Sequence, residues 1–255
     1  MALIRMDLTP QTTQVCQALN IILPDPGKIN GIPVRDRKVL YLLHGLSDDG
    51  SAWQRFTAIE TLAATYGLVV VMPSVGRSFY TDQPNGQRYF SYLVEELPQY
   101  LSDVFDLRPR RENTLLAGLS MGGYGAVKAG LLHPELYSAV ASFSGVLAFD
   151  VSKMRSDVND PRHAEFTALF GDLEKLPGSA NDPTTWLKKA AAHPAALPRL
   201  FISCGRQDDL YPASKYFAAA CQTLGVAVDY YEEDGIHDWY FWDGQIRRFL
   251  KAVLK

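Results

Sequence analysis

Hydrophobic residues recur along this chain in short runs, and polar or glycine- and proline-rich stretches separate them. Apolar or alternating runs predict strands at 2–8, 16–23, 39–43, 68–72, 115–117, 139–143, 200–204 and 226–231. Helical periodicity predicts helices near 56–66, 89–104, 124–132, 212–224 and 240–254. The first two strands are expected to form an antiparallel pair. The alternation of strands and helices after them predicts an α/β fold, with a mostly parallel central sheet and helices on both faces.

One stretch departs from this alternation. Residues 147–198 carry mixed charge, several prolines and glycines, and only short helical patterns at 164–170 and 184–191. A structureless loop of this length is rare inside a compact domain, so we expect a small helical cap at the carboxyl ends of the strands. No repeat or linker divides the chain, which predicts a single domain over 1–255 with the cap as an insertion.

Composition narrows the classes of partner. Lys and Arg total 25 against 28 Asp and Glu, a formal charge of −3, and no basic run occurs, so we expect neither nucleic-acid nor membrane binding. No apolar run approaches the roughly 18 residues of a membrane helix, and the N-terminus has no signal-peptide pattern. The cysteines, Cys16, Cys204 and Cys221, have unrelated spacings. They fit a reduced cytoplasm better than a disulfide framework or a zinc site.

The segment Gly118–Gly122 carries the most specific chemical signal. Its sequence Gly-Leu-Ser-Met-Gly fits the G-x-S-x-G elbow, which places a nucleophilic serine on a sharp turn between a strand and a helix. The predicted strand before it and the predicted helix after it supply that context. Gly118 and Gly122 lack the side chains that would crowd a strained Ser120. The alternative is a glycine-rich turn that merely opens a helix.

A serine nucleophile needs a base, and the base needs an acid to orient it. Of the five histidines, His237 lies in the loop between the last strand and the last helix, the position that the order Ser, acid, His requires. The alternative is a purely structural role, in which His237 caps that helix. Asp208 and Asp209 follow the strand at 200–204, and either could reach a histidine or begin the next helix. Helix-end, loop or surface roles are expected for His44, His133, His163 and His193.

Two backbone N–H groups should bind the negative oxygen of the tetrahedral intermediate. Met121, at the start of the elbow helix, is expected to give one of them. The loop after the strand 39–43 should give the other, with Leu46 as first choice and Gly45 as second. Aromatic residues that either line the substrate pocket or pack in the core are Trp53, Tyr80, Trp239 and Trp242.

These segments together resemble the α/β-hydrolase superfamily, and within it the esterase group that includes tributyrin-type esterases, S-formylglutathione hydrolases and feruloyl or acetyl esterases. The resemblance is strongest to the tributyrin-type esterases. It is carried by 41–46, 95–98, 117–125, 142–145, 205–211 and 235–239. It implies an α/β-hydrolase fold, and it selects Asp208 as the acid because the family acid is the aspartate of Gly-x-Gln-Asp. The formylglutathione branch commonly has Thr-Cys after Gly-Leu, and Leu46 is followed here by Ser47.

The resulting expectation is a cytoplasmic serine carboxylesterase that hydrolyses short-chain acyl esters, a small-molecule substrate class, through a Ser120–Asp208–His237 triad. No metal or organic cofactor is required. Within enzymes, the alternatives are an S-formylglutathione hydrolase, a feruloyl or acetyl-sugar esterase, or acyl transfer to an alcohol other than water. Outside enzymes, the alternative is a non-catalytic ligand-binding protein with a hydrolase fold. The sequence leaves a homo-oligomeric state open.

Overall fold

The computed structural model describes residues 1–28, 31–84, 86–149 and 161–254. Within these residues, the strands are β1 (Ala2–Leu8), β2 (Gln17–Leu23), β3 (Val39–Leu43), β4 (Val69–Pro73), β5 (Thr114–Leu119), β6 (Ala139–Phe143), β7 (Arg199–Gly205) and β8 (Val228–Glu233). They form one sheet in the order β1-β2-β4-β3-β5-β6-β7-β8. β2 runs antiparallel to both β1 and β4, and the other neighbouring pairs are parallel. The predicted mostly parallel sheet is therefore confirmed.

The helices of the described residues are α1 (Ala52–Phe56), α2 (Ile59–Tyr66), α3 (Tyr89–Ser91), α4 (Leu97–Phe105), α5 (Met121–Leu132), α6 (Pro161–Phe170), α7 (Pro183–Ala190), α8 (Tyr211–Thr223) and α9 (Trp239–Val253). A π-helical turn over Tyr92–Glu96 joins α3 to α4. The helix predicted near 56–66 is α2, which begins three residues later at Ile59, and the short helix α1 before it was not predicted. The backbone becomes extended at Thr57, and the Ala58 N–H donates instead to the Asp243 carboxylate of α9 at 2.9 Å.

Helices cover both faces of the sheet because the central strands are apolar on both sides. Every residue of β3 is buried. Val39, Tyr41 and Leu43 belong to the core that includes residues of α4, α5 and α8. Leu40 and Leu42 belong to the opposite core, which includes residues of α1, α2 and α9. The α/β-hydrolase arrangement of layers expected from the sequence is thus present.

The pairing register brings the functional loops to one edge of the sheet. Leu43 pairs with Gly118, Leu119 with Phe143, and Gly205 with Glu233, so these parallel strands end at similar heights. The loops that follow β3, β5, β6, β7 and β8 therefore converge. Open α/β sheets bind their ligands at this carboxyl edge.

The region between β6 and β7 contains α6, α7 and two 3-10 turns, Leu173–Lys175 and Pro194–Ala196. It packs through aromatic contacts, with Phe79 and Phe166 at 5.4 Å and Tyr124 and Trp186 at 4.9 Å between ring centroids. Residues 150–160 of the expected cap lie outside the described residues. Among the helices that are described, none combines the length and apolarity needed to cross a bilayer.

Candidate active site

Ser120 occupies the turn between β5 and α5 with a backbone φ of 52° and ψ of −117°. Few non-glycine residues adopt this conformation, and it persists only where the surroundings enforce it. The Ser120 N–H donates to the Phe143 carbonyl at 2.9 Å. A Cβ on Gly122 would lie 2.5 Å from the Leu43 carbonyl oxygen, and one on Gly118 would lie 2.3 Å from the Gly122 carbonyl oxygen. Both glycines are therefore required for the close approach of the turn to β3 and to itself.

His237 and Asp208 come from two loops that are fastened together. The Gln207 N–H donates to the Gly235 carbonyl at 3.0 Å, and the Gly235 N–H donates to Gln207 Oε1 at 2.7 Å. His237 Nδ1 lies 2.8 Å from Asp208 Oδ2, and His237 Nε2 lies 3.1 Å from Ser120 Oγ. With the Nδ1 proton donated to the carboxylate, Nε2 is free to accept the serine proton. The structure thus brings the three predicted residues into one hydrogen-bonded chain.

The environment of Asp208 keeps its carboxyl group ionised. Its side chain is fully buried, which on its own raises the pKa. Hydrogen bonds from His237 and from the Leu210 N–H, at 2.8 Å each, outweigh this desolvation, and the pKa of Asp208 lies below its ordinary value. An anion at this position favours the protonated imidazole that forms when His237 accepts a proton.

Asp209 does not compete for this position. Its side chain is exposed, and α8 begins at an N-cap, Leu210, without a side-chain capping bond. Of the two aspartates that could begin the helix, it is Asp208 that accepts the Leu210 N–H, at 2.8 Å. The turn orients one aspartate inward and leaves the next in solvent.

Of the two expected oxyanion donors, Met121 follows Ser120 directly, and Leu46 follows Gly45 in the loop after β3. Met121 is the first residue of α5, and the first N–H groups of a helix have no intrahelical acceptor. A Cβ on Gly45 would lie 3.6 Å from the Ser120 Cβ, so the loop of Gly45 and Leu46 runs beside the nucleophile. Arg77 donates to the Leu46 carbonyl at 3.4 Å and also binds Glu165 of α6. This links the loop to the region between β6 and β7.

His44 holds that loop in place. It is fully buried, and burial lowers its pKa, which favours the neutral ring. Its Nδ1 lies 2.7 Å from the Gly45 carbonyl, and its Nε2 accepts the Val75 N–H at 3.1 Å. His44 thus bridges the segments after β3 and β4, as the expected loop role implies. His133 ends α5 and lies 3.1 Å from Glu135.

Two of the four aromatic candidates are interior residues. Trp53 and Tyr80 have no exposed surface. The Trp53 indole N–H donates to the Leu43 carbonyl at 2.9 Å, and the Tyr80 hydroxyl donates to the His44 carbonyl at 3.2 Å. Their position corresponds to the core-packing alternative, because a side chain without accessible surface offers a ligand nothing to touch. They support the strand end and loop that precede Leu46.

Trp239 and Trp242 lie on the first turn of α9, next to His237. Trp239 is half-buried, stacks on Phe56 at 5.1 Å and meets Trp242 edge-on at 5.2 Å. Trp242 is buried and meets the His237 ring edge-on at 4.9 Å. A surface groove of about 620 Å³ borders the same loop, but Ser120 is not among the residues that line it. Of the four aromatic residues, Trp239 combines proximity to His237 with the larger accessible surface.

The sequence interpretation missed two supporting residues, Gln207 and Ser144. Gln207 lies inside the Gly-x-Gln-Asp segment, so its signal was present, although only the fold reveals its pairing with Gly235. Ser144 has a positive φ of 50° just after β6, where its hydroxyl accepts the Trp242 indole N–H. The Ser-Phe-Ser-Gly segment gave a signal for it without indicating a partner.

Comparison with known proteins identifies the family of this chain. The family described as "Putative esterase" matches residues 17–252. An acetyl esterase of Caldicellulosiruptor saccharolyticus is 31% identical over 251 residues, which cover 96% of this chain and 94% of the relative. The structure of a fluorophosphonate-binding serine hydrolase of Staphylococcus aureus is 32% identical with a TM-score of 0.89, covering 100% of this chain and 98% of that one.

An S-formylglutathione hydrolase structure, also from Staphylococcus aureus, is 32% identical with a TM-score of 0.87 and covers 100% of this chain and 99% of that one. The family match spans most of the sheet and all of the loops that converge on Ser120. The chain therefore belongs to the Putative esterase family, and it is a serine hydrolase of the α/β-hydrolase fold that acts on carboxylic esters.

Proposed function

We propose that the chain is a serine carboxylesterase that hydrolyses short-chain acyl esters through an acyl-enzyme on Ser120. The observation that carries the proposal is the continuous chain of hydrogen bonds from Ser120 Oγ to His237 and from His237 to buried Asp208, at 3.1 and 2.8 Å. A nucleophile within reach of a base that is itself held by an acid is the arrangement that activates serine. The order Ser, Asp, His along the chain matches that of α/β-hydrolases.

In the first half-reaction, His237 Nε2 takes the Ser120 proton while Oγ bonds to the ester carbonyl carbon. The carbonyl π electrons move onto oxygen, and the Met121 and Leu46 N–H groups stabilise that oxyanion. When the tetrahedral intermediate collapses, the bond to the alcohol oxygen breaks. His237 returns its proton to the departing alcohol, and the acyl group remains on Ser120.

In the second half-reaction, water replaces the alcohol. His237 takes a proton from water, the hydroxide oxygen bonds to the acyl carbon, and collapse of the second intermediate releases the carboxylic acid. The same histidine returns the proton to Ser120 Oγ. Asp208 keeps its charge throughout and holds the imidazole in one tautomer. No metal or organic cofactor takes part in this scheme.

Substitution of the nucleophile tests the proposal. Ser120→Ala should fold like the wild type and retain only the roughly 10³–10⁴-fold acceleration over water that oxyanion binding supplies in the absence of a triad. Ser138→Ala, which removes a serine bonded to the Thr114 carbonyl, is the matched control and should keep full activity. Hydrolysis of p-nitrophenyl acetate measures turnover, and covalent labelling by a fluorophosphonate identifies the nucleophilic serine. Labelling of Ser144 instead of Ser120 would contradict the assignment.

Thioester hydrolysis is the second candidate. The S-formylglutathione hydrolase that is 32% identical over the whole chain favours it, and the absence of Thr-Cys after Leu46 weighs against it. Rates with S-formylglutathione and p-nitrophenyl acetate, measured side by side, separate the two functions. A kcat/KM for the thioester that is at least a hundredfold higher would assign that activity, provided that Ser120→Ala abolishes both reactions.

The cytoplasmic location remains a prediction that rests on three free cysteines, Cys16, Cys204 and Cys221. Burial raises the pKa of Cys204 and of Cys221 to about 12, so both stay protonated and unreactive.

Size-exclusion chromatography would determine whether the protein forms a homo-oligomer.

A further inference from the structure

Ser144, like Ser120, is a serine with a strained backbone at the carboxyl edge of the sheet. It follows β6 directly, has a φ of 50° and is fully buried. Its N–H donates to the Ser203 carbonyl of β7 at 2.8 Å. Glycine would be the least strained residue at this φ. The side chain at this position must therefore be explained by what its hydroxyl contacts.

The hydroxyl contacts the indole of Trp242. Trp242 Nε1 lies 3.1 Å from Ser144 Oγ across 98 residues of sequence. An indole N–H donates and never accepts, so the serine oxygen is the acceptor in this bond. The Cys204 thiol, 3.9 Å away, is a second weak donor to the same oxygen. Both lone pairs of Ser144 Oγ are thereby engaged, and its own hydrogen is left to find an acceptor.

The carboxylate of Asp208 belongs to the same cluster, because Trp242 contacts both Ser144 and His237, and His237 binds Asp208. One of its oxygens receives the His237 N–H and the other receives the Leu210 N–H. The Ser144 hydroxyl also interacts with this carboxylate and helps to hold the pKa of Asp208 below its ordinary value. A carboxylate offers about four lone-pair sites, so the three donors can bind it together. Two loops already supply donors to the Asp208 carboxylate, and the Ser144 hydroxyl would add a third donor from the loop after β6.

We propose that Ser144 and Trp242 are positioning residues, which orient Asp208 through the bond sequence Trp242 indole N–H to Ser144 hydroxyl to Asp208 carboxylate. The inference rests on the proposed function, because it assigns the device that holds the acid of the triad. Trp242 acts twice. Its N–H sets the direction of the Ser144 hydroxyl, and its ring lies edge-on against the His237 ring at 4.9 Å with an interplanar angle of 87°.

Two substitutions at position 144 distinguish the effect of the hydroxyl from the effect of the backbone strain. Ser144→Ala removes the hydroxyl and keeps the strained φ, whereas Ser144→Gly removes the hydroxyl and relieves the strain. Loss of one hydrogen bond to a charged group predicts a decrease in kcat of roughly 10- to 100-fold for both variants. KM should change little, because Ser144 has no accessible surface with which to contact an ester. Wild-type kcat in both variants would overturn the proposal.

The pH profile supplies a readout that a loss of packing would not change. Without the Ser144 hydrogen bond, more negative charge remains on Asp208, which then holds a protonated His237 more tightly. The acid limb of kcat/KM should therefore move to higher pH in Ser144→Ala and Ser144→Gly. Asp48 also acts electrostatically on His237, and these substitutions leave Asp48 in place. The Cys204 thiol stays neutral in all variants, because burial raises its pKa to about 12. A rate that falls equally at every pH would indicate a structural role alone.

Trp242→Phe completes the test. It keeps an aromatic ring beside His237 and removes the N–H, and should lower kcat about 3- to 10-fold. In the double variant Ser144→Ala/Trp242→Phe, kcat should equal that of Ser144→Ala, because the N–H acts only through the hydroxyl. Trp186→Phe is the matched control. It removes the indole N–H that donates to the Ala180 carbonyl at 2.7 Å, and should leave kcat unchanged.

The outcomes distinguish this inference from the proposed function. Multiplicative effects of the two substitutions would show that Trp242 does not act through Ser144, and would overturn the inference. If Ser120→Ala abolishes turnover while the Ser144 and Trp242 variants behave as the wild type, the carboxylesterase assignment stands and the positioning role is rejected. If Ser120→Ala retains activity, the proposed function itself fails.

Discussion

At the scale of single residues, strain and burial concentrate around the proposed nucleophile. Ser120 and Ser144 both have a positive φ, of 52° and 50°, at the ends of the neighbouring strands β5 and β6. Such conformations cost about 1–3 kcal/mol each and persist where surrounding contacts enforce them. Here those contacts are the Phe143 carbonyl for Ser120 and the Ser203 carbonyl for Ser144. These contacts hold the Ser120 hydroxyl beside His237 and the Ser144 hydroxyl beside the Trp242 indole.

The two adjacent aspartates should differ sharply in their effect on turnover. Asp208→Asn presents an amide that cannot accept the Nδ1 proton as a carboxylate does, so His237 takes the wrong tautomer and kcat falls by about 10⁴, by analogy with the protease triad. Asp209→Asn alters an exposed side chain and should change kcat less than about twofold. Steady-state hydrolysis of p-nitrophenyl acetate measures both. If Asp209→Asn had the larger effect, Asp209 and not Asp208 would be the acid of the triad.

The positions of Ser120 and His237 were predictable because local patterns encode them. The elbow needs glycines on either side of the serine, and the histidine must follow the last strand. The choice between Asp208 and Asp209 came only from the family resemblance, because both follow the same strand. The contact between Ser144 and Trp242 could not be predicted, since it joins residues 98 positions apart whose approach depends on the register of β6, β7 and α9.

At the scale of elements, α5 is unusual because every residue from Met121 to Leu131 is buried. The helix includes Lys128, whose ammonium group binds the Tyr80 carbonyl at 3.3 Å and the Thr81 hydroxyl at 3.0 Å. Its nitrogen also lies 4.6 Å from the centre of the Phe90 ring. Burial lowers the pKa of Lys128 to about 7, against a small opposing effect of Asp82. The elbow helix therefore carries a titrating group inside the protein.

Replacement of Lys128 should change how stability depends on pH. Above about pH 7 the native lysine is neutral, whereas in the unfolded chain it stays protonated to about pH 10. Unfolding then takes up a proton, so the free energy of unfolding of the wild type rises with pH across this window, at most by about 1.4 kcal/mol per pH unit from this group. Lys128→Met should remove that slope. Urea unfolding at pH 7, 8 and 9 measures it.

Lys189→Met is the control, because Lys189 is an exposed lysine on α7. Its stability should follow the pH dependence of the wild type. If Lys128→Met also kept the wild-type slope, Lys128 would have to retain its charge inside the protein over the whole range.

Most element boundaries were predicted within a few residues, because strong periodicity marks them. The break at Thr57, which separates α1 from α2, has a tertiary cause. No local signal shows that the Ala58 N–H will donate to Asp243, which lies 185 residues further along the chain. The π-helical turn at Tyr92–Glu96 likewise interrupts a segment whose apolar spacing reads as one regular helix.

At the scale of the whole molecule, the parallel strands bring nucleophile, base and acid to one edge. The placement of β2 between β1 and β4 was not predictable from apolar runs, which identify strands without giving their order. The region between β6 and β7 packs on Phe79 and Tyr124, and Glu165 reaches Arg77, which contacts the Leu46 carbonyl. Residues far apart in sequence therefore surround the loop proposed to bind the oxyanion.

The proposed preference for short acyl chains should appear as a maximum in the chain-length profile. Each methylene improves binding by roughly 0.8 kcal/mol while the pocket has room for it, and overpacking reverses the gain beyond that point. Rates with p-nitrophenyl esters should peak between acetyl and butyryl and fall steeply by octanoyl. Trp239, two residues after His237, is held by ring contacts with Phe56, Trp53 and Trp242 at 5.1–5.3 Å, and we expect it to form a wall of the acyl pocket.

Trp239→Ala should therefore move the maximum to longer chains, whereas Trp186→Phe, whose indole bonds to Ala180 away from that wall, should leave the maximum in place. The measurement is kcat/KM for each ester, from acetyl to palmitoyl, in both variants and the wild type. A maximum that stays at the same chain length in Trp239→Ala would place the end of the acyl pocket elsewhere. A flat wild-type profile, or a rise in rate when the ester forms an emulsion, would reject the closed short-acyl pocket itself, because activity would then not depend on how many methylenes the site can bury.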